Sequence, residues 1–170
     1  MLRKTFTIFI LLAGFSQFST ANGDIPMDAT HQQYSHIFHL IQQPLWQEAI
    51  EKDSVYYPPT YSQDEFTHAT ANPNFLLIIG NHFYKDVKAD WVCLRMSVES
   101  LQKSGVETVF EATAPVGDIQ PDFPGTDSQL FPHILGGIHP GAVIQVHKVI
   151  RAEDGTFLSV EGIEINDPGY

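Results

Sequence analysis

Five prolines, at positions 115, 121, 124, 132 and 140, interrupt the stretch from Pro115 to Gly141, and with its glycines they forbid a long helix there. A chain so divided must fold from short elements. The flanking sequence agrees. Tyr34–Ile41 is aromatic and β-branched enough for a buried first strand. Pro44 can open a helix whose apolar stripe is Leu45, Trp46, Ala49 and Ile50. Phe66–Thr70 reads as a short second strand, and Asn72-Pro73 as the cap and first turn of a buried helix running from Phe75 to Tyr84. Trp91–Met96 is a third strand. Ser97 caps a short helix through Lys103, which Gly105 ends, and Val106–Glu111 is a fourth strand. The segment from Pro115 to Gly141 reads as a long loop of the kind that is often functional. Ala142–Ile150 and Thr156–Ile163 flank Asp154-Gly155, a strong hairpin signal. This order implies one α+β domain around a mixed or antiparallel sheet.

Residues 1–21 stand apart from that domain. Arg3 and Lys4 precede an apolar run, Phe6–Phe15, and Ser19 and Ala21 occupy the positions that signal peptidase reads. The run of about ten residues is too short for a bilayer, which needs ~20. Cleavage is expected after Ala21, with residues 22–33 a linker, residues 34–165 the domain and residues 166–170 a tail. The expected location is the periplasm or the medium. Removal of Arg3 and Lys4 leaves seven Lys+Arg against twenty Asp+Glu, a net charge of −13. Such a chain is a poor partner for nucleic acid or anionic membrane. Cys93, the single cysteine, has no disulfide partner in its own chain and sits in a strand-like run, so it reads as a buried, inert thiol.

Histidine is the residue type that points to chemistry, with eight in the chain. His36 and His39, three apart on a strand, face opposite sides and cannot share a metal. No metal site and no tightly bound cofactor are expected. On the second strand Phe66, His68 and Thr70 share a face, which sets a ring nitrogen and a hydroxyl about 7 Å apart. His133 precedes Gly136-Gly137 in the long loop, where backbone can approach a ligand closely. Each of these histidines could equally be an ordinary core or surface residue.

The ordered blocks carry a resemblance. Ile37-Phe38-His39-Leu40, Trp46 with Ala49, Glu65-Phe66-Thr67-His68-Ala69-Thr70, Asn81-His82-Phe83-Tyr84, Phe131-Pro132-His133-Ile134-Leu135-Gly136 and Asp154-Gly155-Thr156-Phe157 resemble the domain of unknown function numbered 952, over His36 to Ile163. The family's second block usually reads Gly-Phe-Ile-His-Cys-Ser, so Glu65, Thr67, Ala69 and Thr70 are departures, and the loop from Ala114 to Gln129 is longer than usual. The family is similar in fold to ADP-ribosyltransferases, which implies a split sheet with flanking helices around a cleft for NAD. By that resemblance His39 binds the nicotinamide ribose, and His68 with Thr70 supports it. Glu111 or His133 takes the third catalytic role, and Phe131 and Gly136 contribute to ligand binding. NAD would then be a substrate. The readings that remain open are a nucleotide-processing enzyme, a nucleotide or small-metabolite binding module that lacks the chemistry, and an interaction protein using Tyr56, Tyr57 and Tyr61.

Overall fold

The computed structural model describes residues 34–166. The expected leader and linker, and nearly all of the expected tail, lie outside the described residues. Seven strands and four short helices alternate: β1 (Ile37–Gln42), α1 (Gln43–Glu51), α2 (Tyr61–Asp64), β2 (Thr67–His68), α3 (Leu76–Phe83), β3 (Trp91–Met96), α4 (Val98–Lys103), β4 (Thr108–Glu111), β5 (Phe131–Ile134), β6 (Gln145–Arg151) and β7 (Phe157–Val160). The strands form two antiparallel sheets, ordered β1-β3-β6-β7 and β2-β5-β4. One backbone bridge, Phe38 with Thr70, stitches the two together. The result is a small α+β domain with curled antiparallel sheets, and no parallel pair occurs among the described strands.

Strand alternation distributes β1 and β3 over two cores. Ile37, Ile41, Val92, Leu94 and Met96 face one side, where Trp46 and Ala49 of α1, Leu101 of α4, Phe110 of β4 and Ile134 of β5 cover them. Phe38, Leu40, Trp91 and Cys93 face the other, against Leu76 of α3 and Val149, Phe157 and Val160 of the hairpin. A third, aromatic cluster joins Phe75, Phe83, Phe123 and Phe131 with Val116. Cys93 is fully buried and its thiol pKa is pushed up by burial, as suits an inert group.

Local signals account for most boundaries. Pro44 lies in the first turn of α1. The Ser97 hydroxyl caps α4 by accepting from Ser100 N–H, and the Ser100 hydroxyl oxygen in turn accepts from Ser97 N–H. Asn72 caps the Pro73–Phe75 turn that leads into α3, so the expected helix from Phe75 begins as a 3-10 turn. The Asp154-Gly155 turn joins β6 to β7. Gly155 has φ +92°, and a Cβ there would stand 2.1 Å from the Lys85 carbonyl, so only glycine fits.

The structure corrects several expectations. The stretch from Pro115 to Gly141 is not one loop, because β5 runs through it and forms the central strand of the smaller sheet. β1 starts at Ile37 rather than Tyr34, and β4 at Thr108 rather than Val106. The second strand has only Thr67–His68, since Thr70 crosses to pair with Phe38 in the other sheet. Ile50 is exposed rather than part of the buried stripe of α1. Tyr56 is buried, so of the three tyrosines suggested as an interaction surface only Tyr57 is largely exposed.

Candidate functional site

The bridge between Phe38 and Thr70 brings the middle of β1 against the end of β2, and β2 pairs with β5 so that His68 stands opposite His133. Three histidines from three strands therefore meet at the seam of the two sheets. His39, His68, Thr70, Phe131 and His133 line one cavity of about 40 Å³, roofed by Thr113, Ala114, Val116 and Phe123. A second cavity of about 210 Å³ lies beside it, between β1 and Tyr56, Pro58, Pro59 and Ile119. The two share His39, Leu40, Phe83, Tyr84 and Val116 as walls. The smaller space admits water and little more.

The imidazoles differ in what holds them. His39 is 4% exposed. Its Nδ1 donates to the His68 carbonyl at 2.7 Å, which leaves Nε2 as a lone pair, and that nitrogen is buried with no partner. Burial lowers the His39 pKa to about 4; the backbone bond opposes the shift and His68 adds to it. His68 Nε2 donates to Asp64 Oδ2 at 3.1 Å. Burial lowers its pKa, and the Asp64 charge and hydrogen bond pull it partly back. His133 Nδ1 donates to Glu111 Oε2 at 3.1 Å, and its ring stacks on Phe66 at 4.0 Å. Burial lowers it too, against the pull of Glu111. The site at neutral pH thus presents uncharged imidazoles, two of them oriented by carboxylates and one with a free acceptor.

The remaining expected site residues divide. The Thr70 hydroxyl donates to the Asn72 carbonyl at 3.1 Å, and Phe131 packs edge-on against Phe75 and Phe123. Glu111 does not line the cavity; its side chain is 62% exposed and it reaches the site only through His133. Gly136 is also outside. It packs against Val106, and its carbonyl accepts from the Thr67 hydroxyl at 2.7 Å, which is a structural role. His133 is a strand residue, not a loop residue, because it sits in β5 between β2 and β4.

Asp64 and Tyr84 were missed. The Asp64 carboxylate is nearly buried, and its only trace in the sequence is its place four residues before His68. Tyr84 is stacked on Trp91 at 4.8 Å. Its hydroxyl is held well above the usual phenol range by burial, with the Asp64 charge adding, so it remains a protonated donor. Glu65 adopts φ +65° at the end of α2, a backbone region that costs residues other than glycine about 1–2 kcal/mol. Among the described residues no three His, Cys, Asp or Glu are grouped to hold a metal ion, and no helix is long and apolar enough to cross a membrane.

The curled sheets and their histidine-lined seam define a small α+β domain with an internal, largely apolar cavity that carries a few imidazoles. A family model described as a protein of unknown function, DUF952, matches residues 40–146, and the chain belongs to that family. Among solved structures it is similar to protein CC0527 from Caulobacter crescentus, with TM-score 0.54 and 15% identity over 72% of this chain and 93% of that one. A double-mutant form of the same protein gives TM-score 0.54 at 14% identity with the same coverage. Both neighbours are one bacterial protein rather than an ADP-ribosyltransferase, and the likeness is one of fold. No curated protein matches the chain.

Proposed function

We propose that the chain is an exported ADP-ribosyltransferase-like enzyme acting on NAD or an ADP-ribose-type nucleotide, with the seam cavity as its site. The observation that carries this reading is the convergence of His39, His68 and His133 from three strands on one cavity, with Nε2 of His39 left unpartnered. A buried acceptor without a donor is costly in a folded protein unless a ligand or an ordered water supplies one. In the proposed reaction the bond from ribose C1′ to the nicotinamide nitrogen breaks, nicotinamide leaves with the electron pair, and a water or hydroxyl oxygen bonds to C1′. Nε2 of His39 accepts from a ribose hydroxyl. His68, with its Nε2–H committed to Asp64, takes the proton of the attacking oxygen on Nδ1, a contribution of about 10²–10⁴-fold. His133 and its partner Glu111 hold the facing wall. The nucleotide needs more room than the smaller cavity gives, so the roof from Thr113 to Phe123 has to move.

One observation favours a second reading, a non-catalytic nucleotide or small-metabolite binding module. No Asp or Glu side chain is a wall of the cavity: Glu111 is largely exposed behind His133 and Asp64 lies behind His68, so neither is a direct candidate to stabilise charge at C1′.

The test is melting of the chain from Asn22 onward with NAD and with ADP-ribose, followed by an assay for nicotinamide release. Ligand at a hundred times its dissociation constant should add ~2.7 kcal/mol. Stabilisation and nicotinamide release that both vanish in His39→Ala are the expected result. Stabilisation with no product selects the binding module, and no stabilisation by either nucleotide removes the enzyme reading and confines the binding module to a small metabolite.

A further inference from the structure

Val116 and Ile119 exchange backbone hydrogen bonds at 3.0 and 3.1 Å, which puts Gly117 and Asp118 at the tip of a tight turn. That tip rests on α2. The Gly117 N–H donates to both Asp64 oxygens, at 3.0 and 3.3 Å, and Gln63 Nε2 donates to Asp118 Oδ1 at 3.0 Å. Gly117 has φ +55°, and a Cβ there would lie 3.1 Å from the Thr60 methyl, so the close approach needs glycine. The same carboxylate accepts from His68 Nε2 at 3.1 Å. Val116 is a wall of both cavities and Ile119 of the larger. One nearly buried carboxylate therefore joins an imidazole of the site to the turn that roofs it.

We propose that Asp64 is a positioning residue with two tasks: it fixes His68 with Nδ1 as the free base, and it latches the Val116–Ile119 turn over the cavity. A ligand enters only when the Asp64–Gly117 contact breaks. Breaking it also wets His68, so the roof and the charge state of that ring are coupled. This rests on the proposed function only in taking the cavity as the ligand's place.

The groups facing His68 are few. Asp64 comes from α2, His133 from β5 with Glu111 of β4 behind it, and His39 from β1. Tyr84, just after α3, interacts with Asp64. Desolvation outweighs the pull of Asp64 on His68, so a protonated ring favours the wetter, open roof.

The experiment uses the ligand-free protein and the Asp64→Asn variant, which keeps the shape and removes the charge. In the variant the His68 ¹⁵N signals should move from the Nε2–H tautomer toward a mixture. Hydrogen-exchange protection of the Gly117 amide should fall about tenfold to a hundredfold, as expected for the loss of a hydrogen bond to a charged group. An unchanged tautomer with unchanged Gly117 protection in a folded variant overturns the proposal. If Asp64→Asn does not fold, the wild-type chain decides. Its Gly117 protection should fall on acidification across the range in which His68 titrates, and protection that stays flat through that range overturns the coupling. No nucleotide enters these readouts. Failure of NAD or ADP-ribose to bind leaves the latch standing, and failure of the latch leaves nucleotide binding untouched.

Discussion

His39 spends the neutral pH range uncharged, and its burial makes stability sensitive to acid. Its folded pKa of about 4 lies below its ordinary 6.5, so between these values the unfolded chain binds a proton that the folded chain refuses. The contribution to stability is complete above about pH 6.5 and is lost as pH falls to about 4, to a total of about 3 kcal/mol. His68 and His133 are shifted in the same direction by the same cause and add to the slope. Urea midpoints at pH 7 and pH 4.5 measure it. The wild type should lose stability between them, and His39→Gln, which cannot take the proton, should lose about 2 kcal/mol less. Equal losses in both proteins would place the acid sensitivity elsewhere. The three histidines and Glu111, the partner of His133, were visible in the sequence as candidates, but Asp64, the partner of His68, was not. Asp64 four residues before His68 would be a routine spacing on a helix, and here α2 ends between them with Glu65 at positive φ.

The elements show where local pattern suffices and where it fails. Ser97, Asn72, Pro44 and Asp154-Gly155 each act through their nearest neighbours, and each boundary they mark lies within a residue of where the sequence puts it. β5 was hidden because Pro132 lies in its middle. A strand residue turns its N–H and C=O to the same side. The Pro132 carbonyl accepts from Ala69 N–H at 3.1 Å, so the missing donor faces the two-residue β2 and spares the ladder to β4. Only knowledge of the partner strands makes that proline tolerable. Helix α3 offers a comparable contest at Gly80. On propensity alone, Gly→Ala inside a helix gains about 1 kcal/mol. In this helix a Cβ would stand 2.7 Å from the Phe157 ring, which is packed between α3, Trp91 and the guanidinium of Arg151. Overpacking of about 1–3 kcal/mol should win. Gly80→Ala is therefore expected to lower the melting temperature, and a rise would mean that β7 yields more easily than its burial suggests.

At the scale of the whole molecule, the division into two sheets depends on a contact that no local pattern encodes. The α+β class and the approximate element order follow from periodicity and breakers. The crossing of Thr70 from the β2 side to Phe38, which creates the seam and its cavity, is a pairing of residues far apart in sequence. Arg151 is a second such tie, and its energetics can be measured. Its guanidinium has no carboxylate partner among its hydrogen bonds: Nε donates to the Gly155 carbonyl at 2.8 Å, Nη1 to Val87 and Ala89 at 2.9 Å each, and Nη2 to Tyr84 at 3.3 Å and Lys85 at 2.7 Å. The cation also sits 4.6 Å from the Phe157 ring centre. Five carbonyl dipoles take the place of an anion, and together they bind the segment after α3 to the β6–β7 turn. That segment begins with Tyr84, a wall of both cavities, so the tie also fixes the site. A lysine keeps the charge but has three donors on a narrow head and cannot span the same set. With charge-assisted bonds at about 1.5–3 kcal/mol each, Arg151→Lys should cost about 2–4 kcal/mol and lower the melting temperature by about ten degrees. The unfolding should remain one cooperative step, because the tie joins parts of a single core. A loss under two degrees would mean that water replaces the guanidinium at little cost. A separate early transition confined to Tyr84 and Trp91 fluorescence would mean that the segment is a locally unfolding unit whose only anchor is Arg151.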